Sequence, residues 1–414
     1  MTPMTLTDLW QPATRLPDAS PGDAPRAAPL EVPAEPWAVE RISDLSAFEA
    51  LRPEWEDLLE ASPSRCLFLT WEWLFTWWKH LARGRRLALL AVRRGGQLVA
   101  LAPFARGSSR PAGALGRHLL PTSFQLLGTG QVGSDYLDLL VRAGRERPAA
   151  EALAEHLAEE GTVLELRQLP AQGCLARGLA DSLAERGWRA VEERTQVCPV
   201  IDLAGLTWED YVSSLGKSHR ANVRRRFRKL EAAFDVRFER AGSELEVDEA
   251  FDLLLDLHRK RWRDRGGSDA LSDPAVVAFH REVTRVTLRR GWLRLYVLRL
   301  DGRPAAALYG FLYRGRFLYY QSGFDAAFGD YSVGLVIMGM AVREAIAEGA
   351  REYDLLHGDE SYKFLWASRT RELARVELYP PTPEGRLRRH ARGAVRGAKA
   401  RLRAWRERRG GEEG

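Results

Sequence analysis

The sequence predicts an α/β protein, α+β in the arrangement of its elements, built from two similar units in tandem, each a mixed, mostly antiparallel sheet flanked by helices. Three observations carry this. Strand and helix signals alternate from about residue 40 to Tyr379. The run Leu87 to Phe104, two apolar strands about Gly95-Gly96, parallels Leu293 to Gly310, two strands about Asp301-Gly302. A helix over Pro148–Glu160 with a strand over Thr162–Gln168 likewise parallels a later helix and strand, and an internal duplication is the working model.

The second half is the clearer one. Phe234 to Arg240 alternates as a strand and Leu245 to Arg265 has helical spacing; Asp273-Pro274 then opens a helix as cap and first-turn proline. Leu293–Leu300 and Arg303–Phe311 flank the turn pair Asp301-Gly302, which favours a hairpin. A third strand, Arg316–Gly323, follows Arg314-Gly315. A helix over Ser332–Glu348, a strand over Glu352–His357, a helix over Glu360–Ser368 and a strand over Leu373–Tyr379 complete the order β-α-α-β-β-β-α-β-α-β.

Length and composition set the outer bounds. A chain of 414 residues, 45% hydrophobic and 29% charged, reads as a globular protein of two domains. No run approaches the ~18 apolar residues that span a bilayer, and Met1 to Pro36 lacks a basic start followed by an apolar stretch, so a cytoplasmic protein is expected. Prolines recur through residues 1–36, which reads as a disordered leader. Cys66, Cys174 and Cys198 are far apart and odd in number, which supports buried reduced thiols and neither a disulfide framework nor a metal site. The pI is 9.3, but eleven Lys and Arg against three Glu after residue 385 give a net of +8, leaving −2 of the total +6 for the rest. The basicity belongs to the tail, and no specific nucleic-acid site is expected in the body.

The densest chemistry lies at Glu352 to Trp366, where a strand runs through a Gly358-Asp359 turn into a helix carrying Tyr362 and Lys363. Strand-to-helix corners of this kind hold ligand sites in α/β proteins. Strand alternation places Asp354 on the opposite face from His357. Asp359 suits a base or a helix cap equally, and Lys363 is by default a solvated helix residue. Ser332 can cap a helix whose first turn carries no acid, leaving N–H groups and the helix dipole to an anion; the alternative is an ordinary capped core helix. Arg220, Arg224 and Arg228 form a cationic row beside the apolar stripe Val223, Phe227, Leu230 and Phe234, either an anion site or a solvated flank. His258 and Trp262 stand one helical turn apart, as a buried pair or a substrate wall.

These residues, in order, carry a resemblance: Cys198-Pro199 through Asp202-Leu203, Lys217-Ser-His-Arg-Ala-Asn-Val-Arg224, His258-Arg-Lys-Arg-Trp262, Gly323-Phe-Asp325, Tyr331-Ser-Val-Gly334, and Tyr353-Asp354 through Gly358-Asp359 to Tyr362-Lys363. Over roughly residues 40–380 the chain resembles the GNAT acyltransferase superfamily, and within it the BioF2-like branch that includes the CelD cellulose-biosynthesis proteins and is related to the FemAB-type ligases. Val333 departs from the family's usual proline. The resemblance implies a degenerate GNAT-like domain over 37–195, a GNAT acyltransferase domain over 196–380 and a basic tail over 381–414. It implies acetyl-CoA or another acyl-CoA as co-substrate and N-acylation of an amine on a small molecule, sugar or cell-envelope precursor. Gln321, Ser322, Gly323, Tyr331, Ser332, Val333 and Gly334 would hold the carrier, where two strands splay apart. Tyr362 would protonate the departing thiolate, with His357 or Asp359 as base, and Arg220, Arg224, His258, Trp262 and Lys363 near the acceptor. The tail, with Leu387, Ala391, Ala394, Ala398, Leu402 and Trp405 on one stripe among arginines, suits an anionic membrane surface or polyanion, or stays solvated. The alternatives are an aminoacyl-tRNA-dependent ligase and a non-catalytic binding protein.

Overall fold

The structure is a computed structural model, and it describes residues 35–107, 122–262 and 271–394. The expected leader up to residue 34, the tail from residue 395 and the Trp262 side chain lie outside the described residues.

In chain order the first half runs β1 (Trp37–Ile42), α1 (Leu45–Ala50), α2 (Arg52–Ala61), α3 (Trp71–Leu81), β2 (Arg86–Leu87), β3 (Leu89–Arg94), β4 (Gln97–Ala102), β5 (Phe104–Gly107), β6 (Ser123–Leu126), β7 (Leu140–Val141), α4 (Glu146–Glu160), β8 (Leu164–Pro170) and α5 (Ala176–Glu185). Next come β9 (Arg189–Asp202), α6 (Trp208–Ser214), α7 (Lys217–Ala233), β10 (Val236–Arg240), α8 (Glu244–Trp262) and α9 (Pro274–Arg289). The remainder is β11 (Leu293–Leu300), β12 (Arg303–Tyr313), β13 (Arg316–Phe324), α10 (Val333–Ala347), β14 (Glu352–Asp354), α11 (Ser361–Trp366) and β15 (Arg369–Tyr379).

The α/β class is as expected, and its sheets are mixed and mostly antiparallel. A four-stranded sheet has the order β1-β3-β4-β7, and an eleven-stranded sheet the order β10-β11-β12-β13-β14-β9-β15-β8-β6-β5-β2. Local chemistry explains several elements directly. Asp273 caps α9, its carboxylate accepting from the Ala275 N–H at 2.9 Å, with Pro274 in the first turn. Asp301 and Gly302 both take positive φ, 50° and 78°, which is the backbone a two-residue hairpin turn demands.

Two features went beyond the local patterns. The apolar run Leu87 to Phe104 is not a single hairpin. Its centre, β3 and β4, pairs in the small sheet, whereas its ends pass at Ala88 and Pro103 into the large one, where Leu87 faces Ala105. Further on, β15 does not stay beside its sequence neighbours. It pairs with β9 along its whole length and with β8 of the first half, so one sheet runs through both halves. Position 195/196, the expected domain boundary, falls inside β9, and the described residues from Trp37 onward form one compact unit.

Packing across the halves is aromatic. Trp73 of α3 meets Phe279, Phe311 and Tyr320 edge-on at 5.1, 5.8 and 5.7 Å. His280 sits among the same rings, and full burial pushes its imidazole down to about 3, so it is held neutral as a core residue. All three cysteines are free and buried, and burial pushes the Cys66 thiol up to about 12.

Candidate functional site

The site grows from the way β13 and β14 meet. They are parallel neighbours, paired at only three positions, Arg316–Glu352, Phe317–Tyr353 and Leu318–Asp354. Beyond these, β14 ends while β13 runs on to Phe324, and a bulge between its Tyr319 and Gln321 bends it. The pairing at the base is fastened by charge: Arg371 of β15 donates to Glu352 at 2.7 and 2.8 Å and to Asp354 at 3.1 Å, and Arg316 donates to Glu352 at 3.0 Å. Above it the two strands part, leaving one edge of β13 unpaired from Tyr319 onward.

Tyr319, Ser322, Arg261 and Tyr362 line this parting as a chain of polar contacts. The Tyr319 and Ser322 hydroxyls are 2.6 Å apart, and Arg261 of α8 donates to the Ser322 hydroxyl at 3.0 Å. Tyr362, half-buried in the first turn of α11, is hydrogen-bonded to Tyr319. Burial, with Tyr319 beside it, holds the Tyr362 phenol above its ordinary value although Arg261 pulls the other way; the group keeps its proton at neutral pH. The Ser322 N–H is taken by the Gln321 side-chain oxygen at 3.0 Å instead of by a neighbouring strand. At Gly323 α8 crosses so closely that a Cβ would lie 2.3 Å from the His258 nitrogen.

The start of α10 differs in detail from the sequence expectation. Ser332 does not cap it: the residue takes a left-handed conformation, φ 53°, and its side chain makes no capping bond. The first turn, from buried Val333 through Gly334, still carries no acid. Cations are near, though not from the row Arg220–Arg224–Arg228. Arg220 donates to the Ser213 carbonyl at 2.6 Å and Arg224 to Glu209 at 3.2 Å, away from α10. Arg226 and Lys229, on another side of α7, reach the Asp330 carbonyl at 2.7 and 3.1 Å, and Lys229 lies 4.7 Å over the Tyr331 ring.

The corner after β14 is organised from the first half of the chain. Strand alternation stops after Leu355, whose N–H still donates to the Pro199 carbonyl at 2.9 Å, because side chains claim the next two backbone donors: Asp354 accepts from the Leu356 N–H at 2.9 Å and Asp135 from the His357 N–H at 2.7 Å, with Leu356 at φ 53°. Consecutive residues of the first half, Tyr136 and Asp135, hold Asp354 and His357. The Tyr136 hydroxyl donates to Asp354 at 2.8 Å, and Asp135 lies 2.8 Å from His357 Nδ1. Asp135 is fully buried, and Gln168 donates to it at 3.1 Å. Burial alone would lower the His357 imidazole, but the Asp135 bond and charge outweigh burial and the opposing Lys363, leaving it raised. With Nδ1 tied to a carboxylate, Nε2 is the atom left for proton transfer.

The remaining expected site residues fall as follows. Lys363 is neither solvated nor open to a ligand: it is 4% exposed, and its amine donates to the His357 carbonyl at 2.8 Å and pairs with Glu360 at 3.0 Å. It clamps the turn from inside. Asp359 is exposed, and α11 begins without a side-chain cap, so it does not cap that helix. His258 is buried beneath Gly323, with burial first and Arg261 second lowering it to about 4, which makes it a packing residue and no substrate wall. Asp135, Tyr136, Tyr319, Arg226 and Lys229 were not singled out from the sequence, and Arg261 appeared there only inside the motif from His258 to Trp262. Only Gly133-Ser134-Asp135-Tyr136, an acid and an aromatic after a glycine-rich stretch, offered a signal. Among the described residues no group of three His, Cys, Asp or Glu could hold a metal ion.

Residues 217–364 match the family model described as the acetyltransferase (GNAT) domain, and this part of the chain has that fold. Among solved structures, FemX matches with a TM-score of 0.56 at 11% identity, covering 81% of this chain and 96% of that one. The C-terminal domain of a putative lysylphosphatidylglycerol synthetase from Agrobacterium fabrum matches at 10% identity and TM-score 0.49, over 83% and 96% of the two chains. A tandem GNAT protein from the clavulanic acid biosynthesis pathway matches at 14% identity and TM-score 0.44, over 82% and 98%. At such identities FemX is similar in fold alone. No curated protein matches the sequence.

Proposed function

We propose that the protein is an acyl-CoA-dependent N-acyltransferase of the BioF2-like branch, with acetyl-CoA as the first donor to try and an amine on a small molecule, sugar or cell-envelope precursor as acceptor. The observation that carries the reading is the parting of β13 from β14 with a protonated Tyr362 beside it. A thioester carrier needs a narrow slot, an anion site and an acid for its leaving thiolate. The parted strands offer the slot. The uncapped, acid-free start of α10 with Arg226 and Lys229 offers the anion site.

In the proposed reaction the amine nitrogen attacks the thioester carbonyl, the C–S bond breaks, and the thiolate takes the Tyr362 proton. His357, oriented through Nδ1 by Asp135, accepts the proton from the amine; exchange with solvent restores both groups. In this reading Gln321, Ser322 and Gly323 on β13 are proposed to hold the carrier's arm, and Tyr331, Ser332, Val333 and Gly334 at the start of α10 its anionic end. Calorimetry with acetyl-, succinyl- and longer acyl-CoA should give binding by at least one; no heat from any of them overturns the proposal. A mass-spectrometric screen for co-purified acyl-CoA, and for metabolites whose mass shifts by the acyl group, then identifies donor and acceptor.

The FemX-like fold over both halves favours a second reading, a ligase that takes its acyl group from aminoacyl-tRNA. RNase treatment of a lysate assay abolishes activity only in that case. In either reading the protein is proposed to work in the cytoplasm, with the tail meeting an anionic membrane surface; no helix among the described residues is long and apolar enough to cross a membrane.

A further inference from the structure

Helices α7 and α11 border a cavity of about 480 Å3 lined by Ser218, His219, Ala221, Asn222, Arg225 and Leu365. None of these side chains belongs to the polar chain around Tyr362 or to the Asp135–His357 pair. The cavity has one polar and one apolar wall, and three features of it describe what it would take.

His219 is 8% exposed and stands edge-on to Trp366 at 4.8 Å, and its Nε2 has no hydrogen-bond partner among the described residues. Burial lowers its imidazole below the ordinary value, so the ring is neutral at pH 7 and offers one donor and one acceptor. A buried polar atom left unpaired is rare, and a ligand is one way to satisfy it. Arg225 is exposed and holds only the Asn222 side-chain oxygen, at 3.0 Å. Of the many cations on α7, Arg224 alone forms an ion pair among the described residues, with Glu209. Arg225 itself has no carboxylate partner among the described residues, so its charge beside the cavity is uncompensated. Thirdly, α7 starts at Gly216 with no side-chain cap and no acid in its first turn, which adds the helix dipole to the same sign of charge. Leu365, 53% exposed, supplies the apolar side.

A purely apolar occupant would strand Ser218, His219 and Asn222, and a cationic one would be repelled by Arg225. We propose that the cavity holds the anionic end, carboxylate or phosphate, of the amine acceptor. Arg225 supplies the counter-charge, with Ser218, His219 and Asn222 bonding to its oxygens and Leu365 against its carbon skeleton. This assignment rests on the acyltransferase reading, since α11 carries both Leu365 at the cavity and Tyr362 at the slot. It makes the acceptor a small amine that also bears an acid group.

The test is calorimetric titration of the full chain with inorganic phosphate and, separately, acetate, each with and without saturating acetyl-CoA. The wild type is expected to bind at least one anion equally well in both conditions, and the stronger of the two identifies the acid group. Arg225→Ala, an exposed change that spares the core, should weaken that binding at least tenfold, and His219→Gln should weaken it while acetyl-CoA binding stays unchanged. Absence of binding by both anions, or full affinity in Arg225→Ala, overturns the proposal. Displacement of the anion by acetyl-CoA also overturns it, by giving the cavity to the donor. Phosphate or acetate binding that Arg225→Ala removes, in a protein that binds no acyl-CoA, supports the anion site and defeats the transferase reading.

Discussion

Replacing Asp135 by Asn tests the junction at which the first half of the chain reaches the reactive corner. The substitution keeps the shape of the side chain and removes its charge. One carboxylate oxygen accepts from the His357 N–H at 2.7 Å, and the other lies 2.8 Å from His357 Nδ1 and 3.1 Å from the Gln168 amide. In either orientation the new amide nitrogen faces a donor, and one such unsatisfied buried contact costs about 1–3 kcal/mol. The larger effect is on titration. Burial lowers the imidazole and only Asp135, with help from Glu360, raises it; without that charge His357 must fall below its ordinary value. A raised imidazole stabilises the fold fully below the unfolded value of about 6.5 and loses that contribution as pH rises through its folded value. Urea unfolding should therefore show the wild type's advantage over the variant as widest below about pH 6.5 and narrowing above it. In turnover, the acidic limb of kcat/KM should move to lower pH, and the plateau should drop by about 10²–10³-fold, within the range of general-base catalysis. A folded variant with an unmoved acidic limb and wild-type turnover would refute the role given to Asp135 and to His357 through it.

Other expectations follow from single contacts. Tyr362→Phe removes the proton meant for the thiolate and should lower kcat by about 10²-fold with acyl-CoA affinity unchanged by calorimetry; a selective loss of affinity would instead make Tyr362 a binding residue. Gly323→Ala places a methyl against the His258 backbone, which cannot swing away, and should cost about 1–3 kcal/mol or more in urea unfolding. Wild-type stability in the Gly323→Ala variant would mean that α8 and β13 are not so close. Arg392→Met leaves Glu165 and Glu377, 2% and 1% exposed, without the guanidinium that pairs with both. Arg167 and Arg375 remain 3.5 Å from the two acids, so the loss is partial and should appear as a fall in Tm; an unchanged Tm would mean that Arg392 does not hold them.

What could be read from the sequence was local, and what could not was long-range. The Asp273 cap and the Asp301-Gly302 turn were legible because the residues that decide them are adjacent in the chain. So was the order of strands and helices around Tyr362. Alternation failed after Leu355 because side-chain oxygens, one of them from Asp135, take the next two backbone donors. Lys363 looked solvated on helical spacing and is buried, because its amine is matched by a carbonyl and an acid that only the folded turn brings together. The partners Asp135 and Tyr136 lie more than two hundred positions from the residues they hold, a distance at which no periodicity in one sequence speaks.

The placement of β15 has a kinetic consequence. Strand β8 emerges early in synthesis, yet one of its two neighbours is formed by residues 369–379, on the order of two hundred positions later, so a long loop must close before that edge is covered. Until then β8 and the first part of β9 present open edges, the kind that invite pairing with another nascent chain. Refolding should therefore be slow and concentration-sensitive, and a peptide of residues 369–379 supplied in trans should compete with the chain's own strand during refolding while leaving the finished protein untouched.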